Sequence, residues 1–278
     1  MFMVIVLLLI LGLCFGSFIN ALVWRIHEQA KGGKSSRAAS DLSIVRGRSV
    51  CPHCRHRLAA RDLIPLVSWF MLKGKCRYCK SPISVQYFFV ELLTATLFTF
   101  SYIFWPSSLH GVHLATFTLW LILLVGFIAL AVYDICWQLL PNRIIYPLAA
   151  VAVIYGTINV TTASSPLTVL LDIVLGVLVG GGIFYVLFQL SDGKWIGGGD
   201  VKLGWLLGLI AGSASRSLLL LFLAAICGTL FSLPLLITNR LHKTSKIPFG
   251  PFLILAIIIV ELFGTGILTW YEQAFIHI

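Results

Sequence analysis

Apolar residues in this chain come in long, nearly unbroken runs, and polar residues are gathered into the intervals between them. A run of about twenty apolar residues is what an α-helix needs to cross the hydrocarbon core of a bilayer, about 30 Å thick. Eight helices are predicted on this pattern, at 1–24, 87–105, 114–133, 143–158, 167–190, 201–212, 217–239 and 252–270. The sixth is short for a span, so it is expected to tilt or to stand inside the bundle. The first run ends at Arg25, and positive charge follows it rather than preceding it. A cleavable signal peptide has the opposite order and a shorter core, so this segment reads as a retained first span. The expected fold is an all-α polytopic membrane protein of about eight transmembrane helices. Composition agrees: 59% of the 278 residues are hydrophobic and 11% are charged, against about 25% charged in soluble domains.

One interval is too long to be a simple loop. Residues 25–86 separate the first two spans and open with a Lys-, Gly-, Ser- and Ala-rich stretch, Ala30 to Ser43, that reads as a linker. Cys51-Pro52-His53-Cys54 and Cys76-Arg77-Tyr78-Cys79 follow. Each C-x2-C turn presents two thiolates to one ion, and two such turns complete a tetrahedral four-cysteine zinc site. Four thiolates leave no open position for water, so the expected zinc is structural. His53 and His56 are alternative ligands that the four cysteines make unnecessary. Between the two turns, the apolar stretch Leu63 to Phe70 is expected to lie on the membrane surface.

Charge fixes the expected topology. Thirteen of the twenty Lys/Arg and three of the ten Asp/Glu lie in residues 25–80, so this segment carries the whole net charge of +10. Positive charge beside a span marks the cytoplasmic side. With the N-terminus outside, nineteen of the twenty Lys/Arg fall on the cytoplasmic face and only Arg216 lies outside. Cytoplasmic thiols stay reduced, which favours a metal over disulfides at the cysteines. No nucleic-acid-binding motif accompanies the charge, so anionic lipid headgroups are the expected partner and nucleic acid is not. The predicted organisation is a first transmembrane helix (1–24), a cytoplasmic zinc-binding module (25–86) and a seven-helix transmembrane domain (87–278).

Few ionisable residues remain inside the apolar runs, and each needs a reason to be there. Asp134 ends the third span, and Asp200 follows the glycine run Gly197-Gly198-Gly199, with Lys202 two residues on. The same helix alternation brings both aspartates to the cytoplasmic face. Two neighbouring carboxylates sharing a proton can activate a water and polarise a scissile carbonyl. The glycines would let a substrate backbone approach closely. Two other readings stay open on spacing alone: a polytopic transporter or channel with a structural zinc module, and simple helix capping or ion pairing with Lys202 or Arg143. Glu91, one turn inside the second span, is either an ion-pair partner or a supporting functional residue. Gly16-Ser17-Phe18-Ile19-Asn20, and Gly176 and Gly180 with Gly181 and Gly182, suggest close helix packing.

In combination these motifs resemble those of the type IV prepilin peptidase family. The resemblance covers nearly the whole chain, from Gly16-Ser17-Phe18-Ile19-Asn20 and Arg48 to Cys54, through Asp62 to Trp69 and Gly74 to Cys79. It continues with Asp134 and Leu140-Pro141, Gly197 to Lys202, and Pro248-Phe249-Gly250-Pro251. It implies that Asp134 and Asp200 are the catalytic pair of a membrane aspartic protease. Such an enzyme removes the short basic leader of type IV prepilins or type II secretion pseudopilins, after a glycine, at the cytoplasmic face of the bacterial inner membrane. It also implies N-methylation of the new N-terminus with S-adenosylmethionine, an activity tied to the cysteine-bearing module. Asn142 and Phe88 depart from the family pattern, where an aspartate and a proline are usual.

Overall fold

The computed structural model describes residues 1–31, 42–44, 47–238 and 247–275. Most of the linker expected from Ala30 to Ser43 lies outside the described residues, as do Arg240, His242, Lys243 and Lys246 after the seventh span. Among the described residues there are eight long helices: α1 (Phe2–Ala30), α2 (Val85–Ile103), α3 (Val112–Trp137), α4 (Asn142–Thr162), α5 (Pro166–Leu190), α6 (Gly198–Ala211), α7 (Ala214–Ile237) and α8 (Gly250–Phe275). Among the described residues six of them, all but α2 and α6, are long and apolar enough to cross a membrane. Helix α6 has fourteen residues and so reaches only about 21 Å at 1.5 Å per residue. Helix α2 carries Gln86, Glu91 and several hydroxyl side chains. The chain forms two compact units, Met1–Ile103 and Phe104–Ile278.

In the first unit, α1 lies directly on α2. A Cβ at Gly12 would sit 2.5 Å from Ala95 Cα, and one at Gly16 2.5 Å from Glu91 Cα. These small residues four apart let the backbones touch, as helix pairs in membranes require. The loop between the helices holds a one-turn helix, Val67–Met71, on whose surface Ile64, Val67, Phe70 and Met71 are exposed.

The second unit is built around α3. Its Trp120, Leu123, Leu124, Phe127 and Leu130 are fully buried, and Leu203, Leu207 and Ile210 of α6 and Leu253 and Ile257 of α8 are buried with them. The short α6 is therefore the inner helix, as its length suggested. Gly176 and Gly180 on α5 face Gly204 and Gly208 on α6. A Cβ at Gly208 would lie 2.5 Å from the Gly176 carbonyl oxygen, and one at Gly180 2.9 Å from Gly208 Cα. Gly181 is covered by the Trp205 ring, whereas Gly182 faces open space. Helix α7 is the most exposed, with Leu218, Phe222, Leu230 and Phe231 uncovered, which fits a lipid-facing surface.

The buried Glu261 of this unit is paired with the half-buried Arg216. Arg216 Nη2 donates to Glu261 Oε2 at 2.8 Å and to the Val260 carbonyl at 3.0 Å. The Tyr155 hydroxyl donates to the other oxygen of Glu261. Ser213 Oγ caps α7 by accepting from the Arg216 amide at 3.3 Å.

Candidate active site and metal centre

Asp134 occupies the last turn of α3 and is buried. The helix stops four residues later because Gln138 turns left-handed (φ 54°), its amide returning to the Asp134 carbonyl at 2.7 Å. The Asp134 side chain meets the start of α8, where the Gly250 amide donates to Oδ2 at 3.1 Å. A helix N-terminus offers unpaired amides and a partial positive charge to a carboxylate. A side chain at 250 is incompatible with this contact, since its Cβ would fall 2.6 Å from the same oxygen.

Asp200 lies in the first turn of α6, which Gly197 caps. Its amide donates to the Gly197 carbonyl at 3.0 Å, and its carboxylate turns back over the start of the helix, where a Cβ at Gly197 would lie 3.4 Å from Oδ2, the place a first-turn aspartate favours. Leu140 lies beside both segments: a Cβ at Gly199 would be 3.1 Å from Leu140 Cβ, and one at Gly250 3.6 Å from Leu140 Cδ2. Among the described residues the ion pair with Lys202 left open by the sequence is not made. Lys202 Nζ donates instead to Asn142 Oδ1 at 2.9 Å, tying α6 to the start of α4. Asp134, Asp200, the Gly197–Gly199 run and Lys202 thus belong to one neighbourhood. Gly250 and Leu140 stand within sequence motifs that assign neither a role; the Pro248–Pro251 turn before a span is the signal that points to Gly250.

Glu91 lies in the first unit and is buried on α2. Its Oε2 accepts from the Leu66 amide at 2.8 Å, and it hydrogen-bonds with Ser17. Among the described residues it has no ion pair, so the ion-pair reading of Glu91 is not realised.

The cysteines converge. The Sγ atoms of Cys51, Cys54, Cys76 and Cys79 all lie within 4.8 Å of one another, and Cys51 Sγ and Cys79 Sγ are 3.9 Å apart. Zinc–sulfur bonds of about 2.3 Å in a tetrahedron put sulfurs about 3.8 Å apart, so the cluster could hold a metal ion. All four are free thiols. The two halves of the site are copies of one turn. The Cys51 amide donates to the His56 carbonyl and the Arg55 amide returns to Cys51, and Cys76, Ser81 and Lys80 repeat both bonds. Arg55 and Lys80 both take positive φ (57° and 60°), and the bridges Val50–Arg57 and Lys75–Pro82 close each turn. Hydrogen bonding with the Ser81 hydroxyl, then with the Ser81 amide, brings the Cys79 thiol down to about 6, which favours the thiolate that binds metal. His53 and His56 are not in the cluster; His56 stacks on Tyr78 with ring centroids 3.7 Å apart.

Asp62 braces the second turn. Arg77 Nε donates to its Oδ1 at 2.6 Å, and the Tyr78 hydroxyl and the Ala59 amide to its Oδ2 at 3.0 and 3.2 Å. Burial pushes this carboxyl up, but the hydrogen bonds from Arg77, Tyr78 and Ala59 outweigh it and hold it below the usual range.

Comparison with known proteins accounts for both units. The profile described as "Bacterial Peptidase A24 N-terminal domain" matches residues 10–105, and that of the "Type IV leader peptidase family" matches residues 121–233. The chain is 37% identical to the "Type 4 prepilin-like proteins leader peptide-processing enzyme" of Escherichia coli O78:H11, over 95% of this chain and 92% of that protein. It is 32% identical to the "Prepilin leader peptidase/N-methyltransferase" of Bacillus subtilis, over 95% and 96% of the two chains. It is 30% identical to the protein of the same description from Aeromonas hydrophila, over 97% and 94%. No solved structure matches. With its membrane-crossing helices and near-complete coverage of these relatives, the chain is a multi-pass membrane protein and belongs to the type IV leader peptidase family.

Proposed function

We propose that this protein is a membrane aspartic endopeptidase that removes the leader of type IV prepilins or pseudopilins and then N-methylates the new N-terminus. Asp134 and Asp200 are the catalytic pair. The observation that carries the reading is their joint placement: Asp134 is buried and held by the Gly250 amide, and Leu140 lies against both Gly250 and Gly199, the residue before Asp200. Two such carboxylates share one proton. The ionised one takes a proton from the attacking water, and the protonated one donates to the scissile carbonyl oxygen. The Gly197–Gly199 run carries no side chains that would obstruct an extended substrate, and Lys202, held by Asn142, fixes the start of α6.

The N-terminus lies outside, and the active site faces the cytoplasm of a bacterial inner membrane, in accord with the distribution of Lys/Arg. Cys51, Cys54, Cys76 and Cys79 hold a structural zinc. The methyl group comes from S-adenosylmethionine, which supplies an electrophilic methyl on a sulfonium.

The test is cleavage of a model prepilin by membranes containing wild type, Asp134→Asn or Asp200→Asn protein. Each variant keeps the side-chain size and removes the titratable proton. Loss of cleavage in both, with folding and zinc content intact, supports the pair. Near-normal cleavage by either removes that aspartate from the mechanism.

A further inference from the structure

The first unit encloses a cavity of about 370 Å³ between α1, α2 and the cysteine-bearing loop, within the range of small-molecule sites, about 300–1,000 Å³. Trp24, Trp69 and Tyr87 contribute aromatic surface, and Ser17 and Glu91 lie in its wall. One buried group there has no hydrogen-bond partner, and a second is hydrogen-bonded but has no counter-charge. The Trp69 indole Nε1 is buried and has no hydrogen-bond partner. Glu91 is 7% exposed, and the only contacts it has among the described residues are to uncharged donors, the Leu66 amide and Ser17.

The cations in the same wall are already committed. Arg25 donates to the carbonyls of Ser43, Ile44 and Gly47 at 3.1–3.3 Å. Arg77 is paired with Asp62 at 2.6 Å. Neither neutralises Glu91. The carboxylate is also held in place at a cost. Leu66 adopts φ 60° and ψ −51° and is the centre of a γ-turn closed by the Val67 amide on the Pro65 carbonyl at 2.6 Å. This positive-φ γ-turn is rare and strained, and such strain concentrates at functional sites. Here it aims the Leu66 amide at Glu91.

An uncompensated carboxylate beside aromatic faces is the complement of a small organic cation, and an unpaired indole N–H calls for an acceptor on the same ligand. Building on the methyltransferase reading above, we infer that this cavity binds S-adenosylmethionine, with Glu91 facing its sulfonium charge and the Trp69 indole N–H donating to one of its acceptors.

The inference separates two ligands that differ by one charge: S-adenosylmethionine carries the sulfonium, and S-adenosylhomocysteine is the neutral thioether. Binding of each to the purified zinc-loaded full chain is measured by titration calorimetry. Photo-crosslinking of radiolabelled S-adenosylmethionine, mapped by mass spectrometry, gives the site. Glu91→Gln is expected to weaken S-adenosylmethionine about tenfold or more and S-adenosylhomocysteine less than about threefold. Trp69→Phe is expected to weaken both equally, and the crosslink to fall in peptides containing Trp24 or Trp69. Zinc content and the unfolding temperature report that each variant is folded. If both variants bind like wild type while wild type methylates cleaved substrate, the donor sits elsewhere and the inference fails although the methyltransferase reading stands. Equal weakening of both ligands by Glu91→Gln also overturns the assigned role of Glu91. If wild type neither binds the donor nor methylates, the methyltransferase reading fails with it.

Discussion

The Gly250 amide donates to Asp134 Oδ2 at 3.1 Å, and a Cβ at residue 250 would lie 2.6 Å from that same oxygen. One residue both holds the carboxylate and leaves room for it. Gly250→Ala must therefore push Asp134 or the start of α8 aside by several tenths of an ångström or more. Misplacing a reacting group by about 1 Å costs about a hundredfold in rate. Cleavage of a model prepilin by Gly250→Ala is expected to fall about that far in kcat/KM, with zinc content and thermal stability nearly unchanged. Wild-type kinetics would show that this contact does not position a catalytic group.

The division between what was legible in the chain and what was not follows from locality. Spans, cysteine turns and the two aspartates are written in adjacent residues, because bilayer thickness, metal geometry and the cost of a carboxylate in an apolar run act locally. Partners are not. Nothing near Asp134 in sequence announces Gly250, 116 residues away, or near Glu91 announces a strained Leu66. Lys202 shows the limit well: spacing suggested an aspartate partner, and helix packing delivered Asn142 instead. Which helix faces meet is decided by glycine contacts such as Gly180 on Gly208, and only one side of those, Gly176 and Gly180, drew notice in the sequence.

The paired cysteine turns give a stoichiometric expectation. Purified protein should carry one zinc per chain by elemental analysis, and Cys51→Ser or Cys76→Ser, at the two buried ligands, should abolish it. Because metal binding is folding free energy for small modules, chelation should expose the amides of residues 47–84 to hydrogen exchange. The helices of the second unit, Phe104 onward, should keep their protection.

Asp62 makes a pH-dependent contribution whose sign is fixed. Its folded carboxyl is held below the ordinary range, after the hydrogen bonds from Arg77, Tyr78 and Ala59 overcome burial. The stabilisation is therefore fully present above the ordinary carboxylate pKa, near pH 4, and is lost as pH falls through the depressed folded value. The stability difference between wild type and Asp62→Asn should be constant from about pH 5 to 8 and shrink below about pH 4. A difference that grows on acidification would contradict the assignment.

Residues 25–80 carry the whole net charge of +10, yet the proposed leader substrate is itself basic. Productive binding must then come from burial of the apolar substrate helix, with acidic groups acting only locally. Raising ionic strength from about 0.1 to 1 M shortens the screening length from about 10 to 3 Å. Across that range kcat/KM for leader cleavage should change less than about threefold, whereas recognition by charge would give a steep dependence.

The Tyr155–Glu261–Arg216 cluster offers a test of the second unit that does not touch its chemistry. The Glu261 side chain is 6% exposed and accepts from Arg216 at 2.8 Å while Tyr155 donates to its other oxygen. Removing Arg216 strands the buried Glu261 charge, a loss of up to about 3–5 kcal/mol for a fully buried pair, whereas removing Glu261 leaves an Arg216 that is 25% exposed and costs less; replacing both with apolar residues is often neutral. Arg216→Met and Glu261→Leu should each lower the unfolding temperature in lipid nanodiscs. The double variant should recover part of the loss, by an interaction energy of about 1–3 kcal/mol. Strict additivity would mean that the two charges do not sense each other. Leader cleavage by the double variant should stay near wild type, because the effect is on the stability of α4, α7 and α8 and not on Asp134 or Asp200.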